Sequence, residues 1–153
     1  MSNQIEPKDQ LINITRADGV TKEIRVLDGH LFVCQGCCCG RTDKGFPAVP
    51  IEEFKREWKE RGMRKHIHLT ISGCLGPCAL ANVVLIVFAG QVIWLHSINS
   101  VTQVKAIFDY LGSMLACGHY LVPTGVLAEC HFNRYTFEML READQDDRHS
   151  YKL

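Results

Sequence analysis

The chain of 153 residues predicts a mixed α/β (α+β) fold with the element order β-α-β-β-β-α, a β-hairpin arm before it and a helical tail after it. Three observations predict this order. Several short segments alternate apolar and polar residues or run continuously apolar, as strands do. Two turn signals, Asp18-Gly19 and Ala89-Gly90, separate pairs of such segments, and two longer stretches repeat apolar residues at helical spacing.

The elements follow in order. Leu11 to Thr15 and Val20 to Val26 flank Asp18-Gly19 and predict the hairpin arm, residues 1–28. His30-Leu31-Phe32-Val33 is a short strand that runs into a cysteine-rich loop, and Gly40, Gly45, Pro47 and Pro50 make that loop irregular. Pro50 suits a first helical turn, and Ile51, Phe54 and Trp58 form the apolar stripe of a helix that stops near Gly62. His66 to Ile71 alternates as a strand and leads through Gly73 into a second cysteine loop. Residues 83–88 and 91–95 flank Ala89-Gly90 as a hairpin whose first strand is largely buried. Asn99 or Ser100 caps a helix with the stripe Val101, Val104, Ile107, Phe108, Leu111 and Leu115. The main domain therefore spans 29–118. The tail, 119–153, has helical spacing at Phe132, Tyr135 and Met139 and ends in a polar run.

Composition narrows the function classes. A domain of this size buries roughly 70% of its unfolded surface, enough for one core and too little for two independent domains. Lys+Arg and Asp+Glu both number 17, so charge favours neither nucleic acid nor an anionic membrane as a partner. The first ten residues lack the basic start and apolar stretch of a secretory signal. The longest apolar run, 83–89, is far short of the roughly 18 residues that suggest a membrane span. The expectation is a cytoplasmic protein, where clustered cysteines serve as ligands or redox groups more often than as structural disulfides. There is no Gly-rich phosphate loop and no Ser/His/Asp arrangement, which argues against an enzyme with its own substrate turnover.

Six of the 8 cysteines lie in two clusters, Cys34-Gln35-Gly36-Cys37-Cys38-Cys39 and Cys74-Leu75-Gly76-Pro77-Cys78, each just after a predicted strand. Soft thiolates gathered from two loops are what an iron–sulfur cluster or a tetrahedral zinc requires. Gly36 and Gly76 let backbone N–H groups approach ligand sulfurs, with Gly40 in a similar position, and Pro77 fixes one torsion between the second pair. Buried unreactive thiols are a poor account of consecutive cysteines flanked by glycines. A zinc knuckle is available at Cys34 and Cys37, but the second pair has three intervening residues. A thioredoxin-type dithiol at the same two residues would open a helix, which the glycines and prolines oppose.

Residues 30–115 resemble the thioredoxin-like [2Fe-2S] ferredoxins, a family that includes the small cluster-bearing subunits of respiratory complex I and of NAD-linked hydrogenases. The family pattern is two cysteines separated by four residues after the first strand, then two separated by three after the next, followed by a hairpin and a helix. Cys34 with Cys39 and Cys74 with Cys78 fit it. The resemblance implies a thioredoxin-like fold, a [2Fe-2S] cluster held by those four cysteines, one-electron transfer to a redox partner protein, and a homodimer. Cys37 and Cys38 depart from the pattern and remain alternates within the first set.

Two alternatives of another class stay open. Residues 33–44 and 71–82 are also similar to small ferredoxin-like proteins associated with cobalamin and cobaltochelatase pathways, which implies a metal- or cofactor-assembly accessory role. A structural zinc-binding interaction module is the other. Outside the clusters, His66 and His68 share one strand face and read as polar side chains at a half-exposed edge. His96, His119 and His131 are scattered, Cys117 and Cys130 read as ordinary thiols, and Trp58 and Trp94 as core. The basic residues between Lys55 and Lys65 alternate with glutamates, as a solvated helix face does. Arg41 and Lys44 flank the first cluster and are expected to steer an acidic partner or to raise a reduction potential.

Overall fold

The computed structural model describes residues 10–136. Strands β1 (Leu11–Thr15) and β2 (Thr21–Arg25) form the antiparallel arm. Its turn is closed by the Arg16 and Val20 backbones and by Asp18, whose carboxylate accepts the Val20 N–H. The main sheet contains β3 (Gly29–Cys34), β4 (Ile67–Ser72), β5 (Val84–Phe88), β6 (Gln91–Leu95) and β7 (His131–Phe132) in the spatial order β4-β3-β5-β6-β7. Helices α1 (Ile51–Glu60) and α2 (Val101–Cys117) complete it. From β3 to α2 the elements run β-α-β-β-β-α, the order expected from the sequence.

Alternation decides which face is buried. Leu31, Val33, Ile67, Val84, Ile86, Ile93 and Leu95 pack with Phe54 of α1 and Val104, Ile107, Phe108 and Leu111 of α2. The Phe54 and Phe108 rings meet at 6.4 Å, and full burial of each contributes about 1.5–3 kcal/mol. Arg61 joins the helices, donating to Glu57 at 2.7 Å and Asp109 at 2.6 Å. Trp58 lies at the core margin and donates its indole N–H to the Ile67 carbonyl at 2.7 Å. Ser100 and Gln103 form a capping box at the start of α2, and Gly118 in a left-handed conformation ends it. At the β5–β6 turn Ala89 and Gly90 both have positive φ, 49° and 75°, the twist a tight hairpin needs.

Topology fixes the place of the site. Strands β3 and β4 are parallel, with Cys34 opposite Ser72, so the loops that follow them leave the same end of the sheet. Strand β5 is antiparallel to β3 and begins at that end, so Asn82 and Val83 arrive there too.

Two expectations are corrected. Phe132 does not start a helical turn: it belongs to β7, opposite Trp94, and packs its ring against Trp94 and His96 at 6.0 and 5.8 Å. Tyr135 follows in a turn, and Met139 lies outside the described residues. His66 precedes β4 and is 5% exposed, with Nδ1 2.9 Å from Asp28 Oδ2, so only His68 occupies the exposed edge. Among the described residues no helix is long and apolar enough to cross a membrane.

Candidate metal centre

Cys34 is the last residue of β3, and its N–H donates to the Val83 carbonyl at 3.1 Å. The chain then turns: Gln35 N–H donates to Ser72, Gly36 N–H to the Cys39 carbonyl at 3.0 Å, and Arg41 N–H to the Cys38 carbonyl at 3.0 Å. Gly36 has φ +139° with open space where a Cβ would stand, so torsion and not crowding calls for glycine there. The fold returns Cys39 to the interior, where its sulfur accepts the Val83 N–H at 3.3 Å. Cys34 and Cys39 are 4% and 2% exposed, while Cys37 is exposed and Cys38 half-buried.

The second loop is shorter and lies at the surface. Cys74 and Cys78 have their sulfurs 3.2 Å apart, and the Cys78 N–H donates to the Gly76 carbonyl at 2.9 Å. Cys74 is exposed and Cys78 half-buried. Cys34, Cys38, Cys39, Cys74 and Cys78 line a single recess with Gly76, Pro77 and Val83. The sulfurs of Cys37, Cys38 and Cys78 also lie within 4.8 Å of one another at its mouth. The structure thus brings together the four cysteines singled out by the sequence and both alternates. Cys117 and Cys130 stand apart from the recess, Cys130 buried near Gln103.

Backbone donors address the sulfurs from both loops. Burial pushes the Cys34 thiol up to about 12, against a hydrogen bond from the Leu75 backbone that favours its thiolate, and neighbouring Cys39 raises it further. Cys74 is lowered by its contact with Cys78 and by the Gly76 backbone, whereas Cys78 is pushed up to about 12 by Cys74 and Cys37. One thiol of the surface pair therefore ionises readily and then suppresses ionisation of its neighbour, as closely spaced acids do. A cation bound between them would remove that conflict.

Asn82, 1% exposed, holds the first loop in place and was not marked by the sequence reading as a site residue. Its Oδ1 accepts the Gly40 N–H at 2.8 Å, and its Nδ2 donates to the Pro47 and Ala48 carbonyls and to Asn99 Oδ1. Its position four residues after Cys78, beside the start of β5, was the available signal. The flanking charges differ from one another. Arg41 is bound to Asp43 through two hydrogen bonds of 2.8 and 2.7 Å, while Lys44 donates to the Cys37 carbonyl at 3.2 Å. Arg134 also reaches the site, over Gly76.

The donor set is compatible with iron–sulfur binding: free thiols from two loops, in one recess, with backbone N–H groups directed at several of the sulfurs. No protein-family model matches the sequence, and no curated protein does. Among solved structures, the chain is similar to the wild-type thioredoxin-like [2Fe-2S] ferredoxin from Aquifex aeolicus, with 18% identity, a TM-score of 0.38, and coverage of 63% of this chain and 93% of that one.

Proposed function

We propose that this protein is a one-electron carrier that holds a [2Fe-2S] cluster through Cys34, Cys39, Cys74 and Cys78 and exchanges electrons with a partner redox protein. The observation that carries the reading is the shared recess at the ends of two parallel strands, where a buried cysteine pair and a surface pair face one another. Bound there, the cluster supplies a one-electron couple. Cys34 and Cys39 would hold the buried side, with the Leu75 and Val83 N–H groups compensating thiolate charge. Cys74 and Cys78 would hold the solvent side, where a partner protein can approach. Asn82 keeps the first loop fixed, so the ligands need not rearrange between oxidation states.

A second reading rests on the three-sulfur group of Cys37, Cys38 and Cys78. Thiolates around a tetrahedral zinc sit about 3.8 Å apart, so a small rearrangement of that group, with the Cys74 sulfur 3.2 Å from Cys78 as fourth donor, would suit a structural zinc. Visible absorption and reduced-state EPR of anaerobically purified protein, with iron, sulfide and zinc quantified on the same sample, separate the two. Two irons and two sulfides per chain with an S = 1/2 signal are expected on reduction. A colourless protein with one zinc that resists reconstitution would overturn the carrier reading.

A further inference from the structure

We infer that Arg134, carried by the segment after β7, is a charge-tuning residue of the metal centre. Its guanidinium lies over the second cysteine loop: Nη2 is 3.6 Å and Nε 3.9 Å from where a Cβ on Gly76 would stand. Gly76 is the middle residue between Cys74 and Cys78, lines the recess, and supplies the backbone hydrogen bond that favours the Cys74 thiolate.

The placement is built by several anchors. Strand β7 pairs with β6, Phe132 opposite Trp94 and His131 opposite Leu95. Phe132, 1% exposed, belongs to the same buried cluster as Cys34, Cys39, Val83 and Trp94. Beyond Arg134 the chain turns, with Tyr135 N–H donating to Asn133 Oδ1 at 3.1 Å and the Tyr135 ring edge-on to Trp94 at 6.4 Å. Arg134 is thus held between two contacts to one tryptophan. Trp94 itself keeps its indole nitrogen buried without a hydrogen-bond partner among the described residues.

The inference rests on the cluster reading above. A thiolate-bound iron–sulfur cluster is anionic and gains one further negative charge on reduction, with no bond made or broken in the protein. A cation fixed beside one ligand loop therefore favours the reduced form over the oxidised form. At a partly exposed site a unit charge a few ångströms away is worth about a threefold to tenfold change in the reduced-to-oxidised ratio.

The test uses the full chain reconstituted with ferrous iron and sulfide, as wild type, Arg134→Gln and Arg134→Lys. Iron and sulfide are counted, and each protein is titrated against redox mediators at low and high salt. Equal loading is expected, with the reduced-to-oxidised ratio of Arg134→Gln at a fixed ambient potential lower by about threefold to tenfold, Arg134→Lys close to wild type, and the gap narrowing in salt. Equal midpoints at equal loading would overturn the inference. Should Arg134→Gln lose the cluster, Arg134→Lys decides: normal loading with a near-normal midpoint supports a role through charge, and loss in both variants overturns tuning in favour of a purely structural part. A wild type that takes up no iron and sulfide overturns the carrier reading, and this inference with it, before any variant is compared.

Discussion

The two cysteine loops leave neighbouring strands at the same end of the sheet, yet they are held in opposite ways. The first is gripped from inside: Cys34 and Cys39 are buried, and Asn82 ties Gly40, Pro47 and Ala48 to the start of α2 through Asn99. The second is held at the surface, where Cys74 is exposed, the turn is closed by local bonds, and Arg134 lies over Gly76. The difference shows how a single recess can combine rigidity with access. Buried donors fix a geometry, and exposed ones leave an edge open to a partner.

The largest effect should separate the loops directly. Cys39→Ser is expected to abolish cluster loading, because a hard hydroxyl replaces a soft ligand in a dry part of the recess. Cys78→Ser should retain a coloured fraction with altered EPR, since the Cys37 and Cys38 sulfurs lie within 4.8 Å of the lost one. Iron and sulfide counts with EPR on both variants check this. Equal and complete loss would mean that the surface thiols are as irreplaceable as the buried ones.

Next in size is Asn82→Ala. It removes a buried side chain that satisfies one N–H, two carbonyls and Asn99. Stranding even one or two of these groups costs about 1–3 kcal/mol each, so a total near 3 kcal/mol is expected in urea unfolding. The apo protein should show this loss, and a Gly76→Ala change in the surface loop should cost less in the same assay. There a new Cβ meets only the Arg134 side chain at ordinary contact distance, although the φ of +119° adds local strain.

What was legible in the sequence follows the same division. Asp18-Gly19 and Ala89-Gly90 announce their hairpins locally, and the stripes of α1 and α2 announce their buried faces. The gathering of the cysteines was legible as well, because each cluster follows a strand and parallel pairing makes those ends neighbours. Long-range partners were not. The burial of His66 depends on Asp28, 38 residues away, and neither residue signals the other. Phe132 reads as one apolar position at helical spacing, and only pairing with β6 makes it a strand. Asn82 and Arg134 are ordinary polar residues until the fold sets them against the loops.

Acid should loosen β7, which packs behind the recess through Phe132. Burial lowers the affinity of His96 and His131 for a proton, and both flank Phe132 of β7. Unfolded histidines titrate near 6.5, so above that pH the folded state carries no penalty. As pH falls below about 6.5 the unfolded chain binds protons that the folded chain resists, and stability drops until the folded histidines titrate as well. Thermal unfolding of the apo protein at pH 7 and pH 5 is expected to show this loss. A His96→Gln, His131→Gln variant should reduce the dependence and leave the part due to His30 on β3, which burial also disfavours in its charged form, while unchanged pH sensitivity would remove β7 from the account.

The smallest effect is at the rim of the first loop, and it tests whether charge there serves access or structure. Lys44 donates to the Cys37 carbonyl from an exposed position, so Lys44→Gln should change stability by no more than about 0.5 kcal/mol and leave loading intact. Its expected consequence is kinetic. Dithionite is an anionic reductant, and its reduction of the loaded protein should slow by about twofold at low salt and match wild type at high salt, where screening acts within about a Debye length. Arg41 should matter less, because Asp43 already pairs with it through two bonds and cancels much of its field at a distance. If Lys44→Gln lowered stability by several kcal/mol while leaving the rate unchanged, the rim of the first loop would be part of its internal grip, and access would belong to the second loop alone.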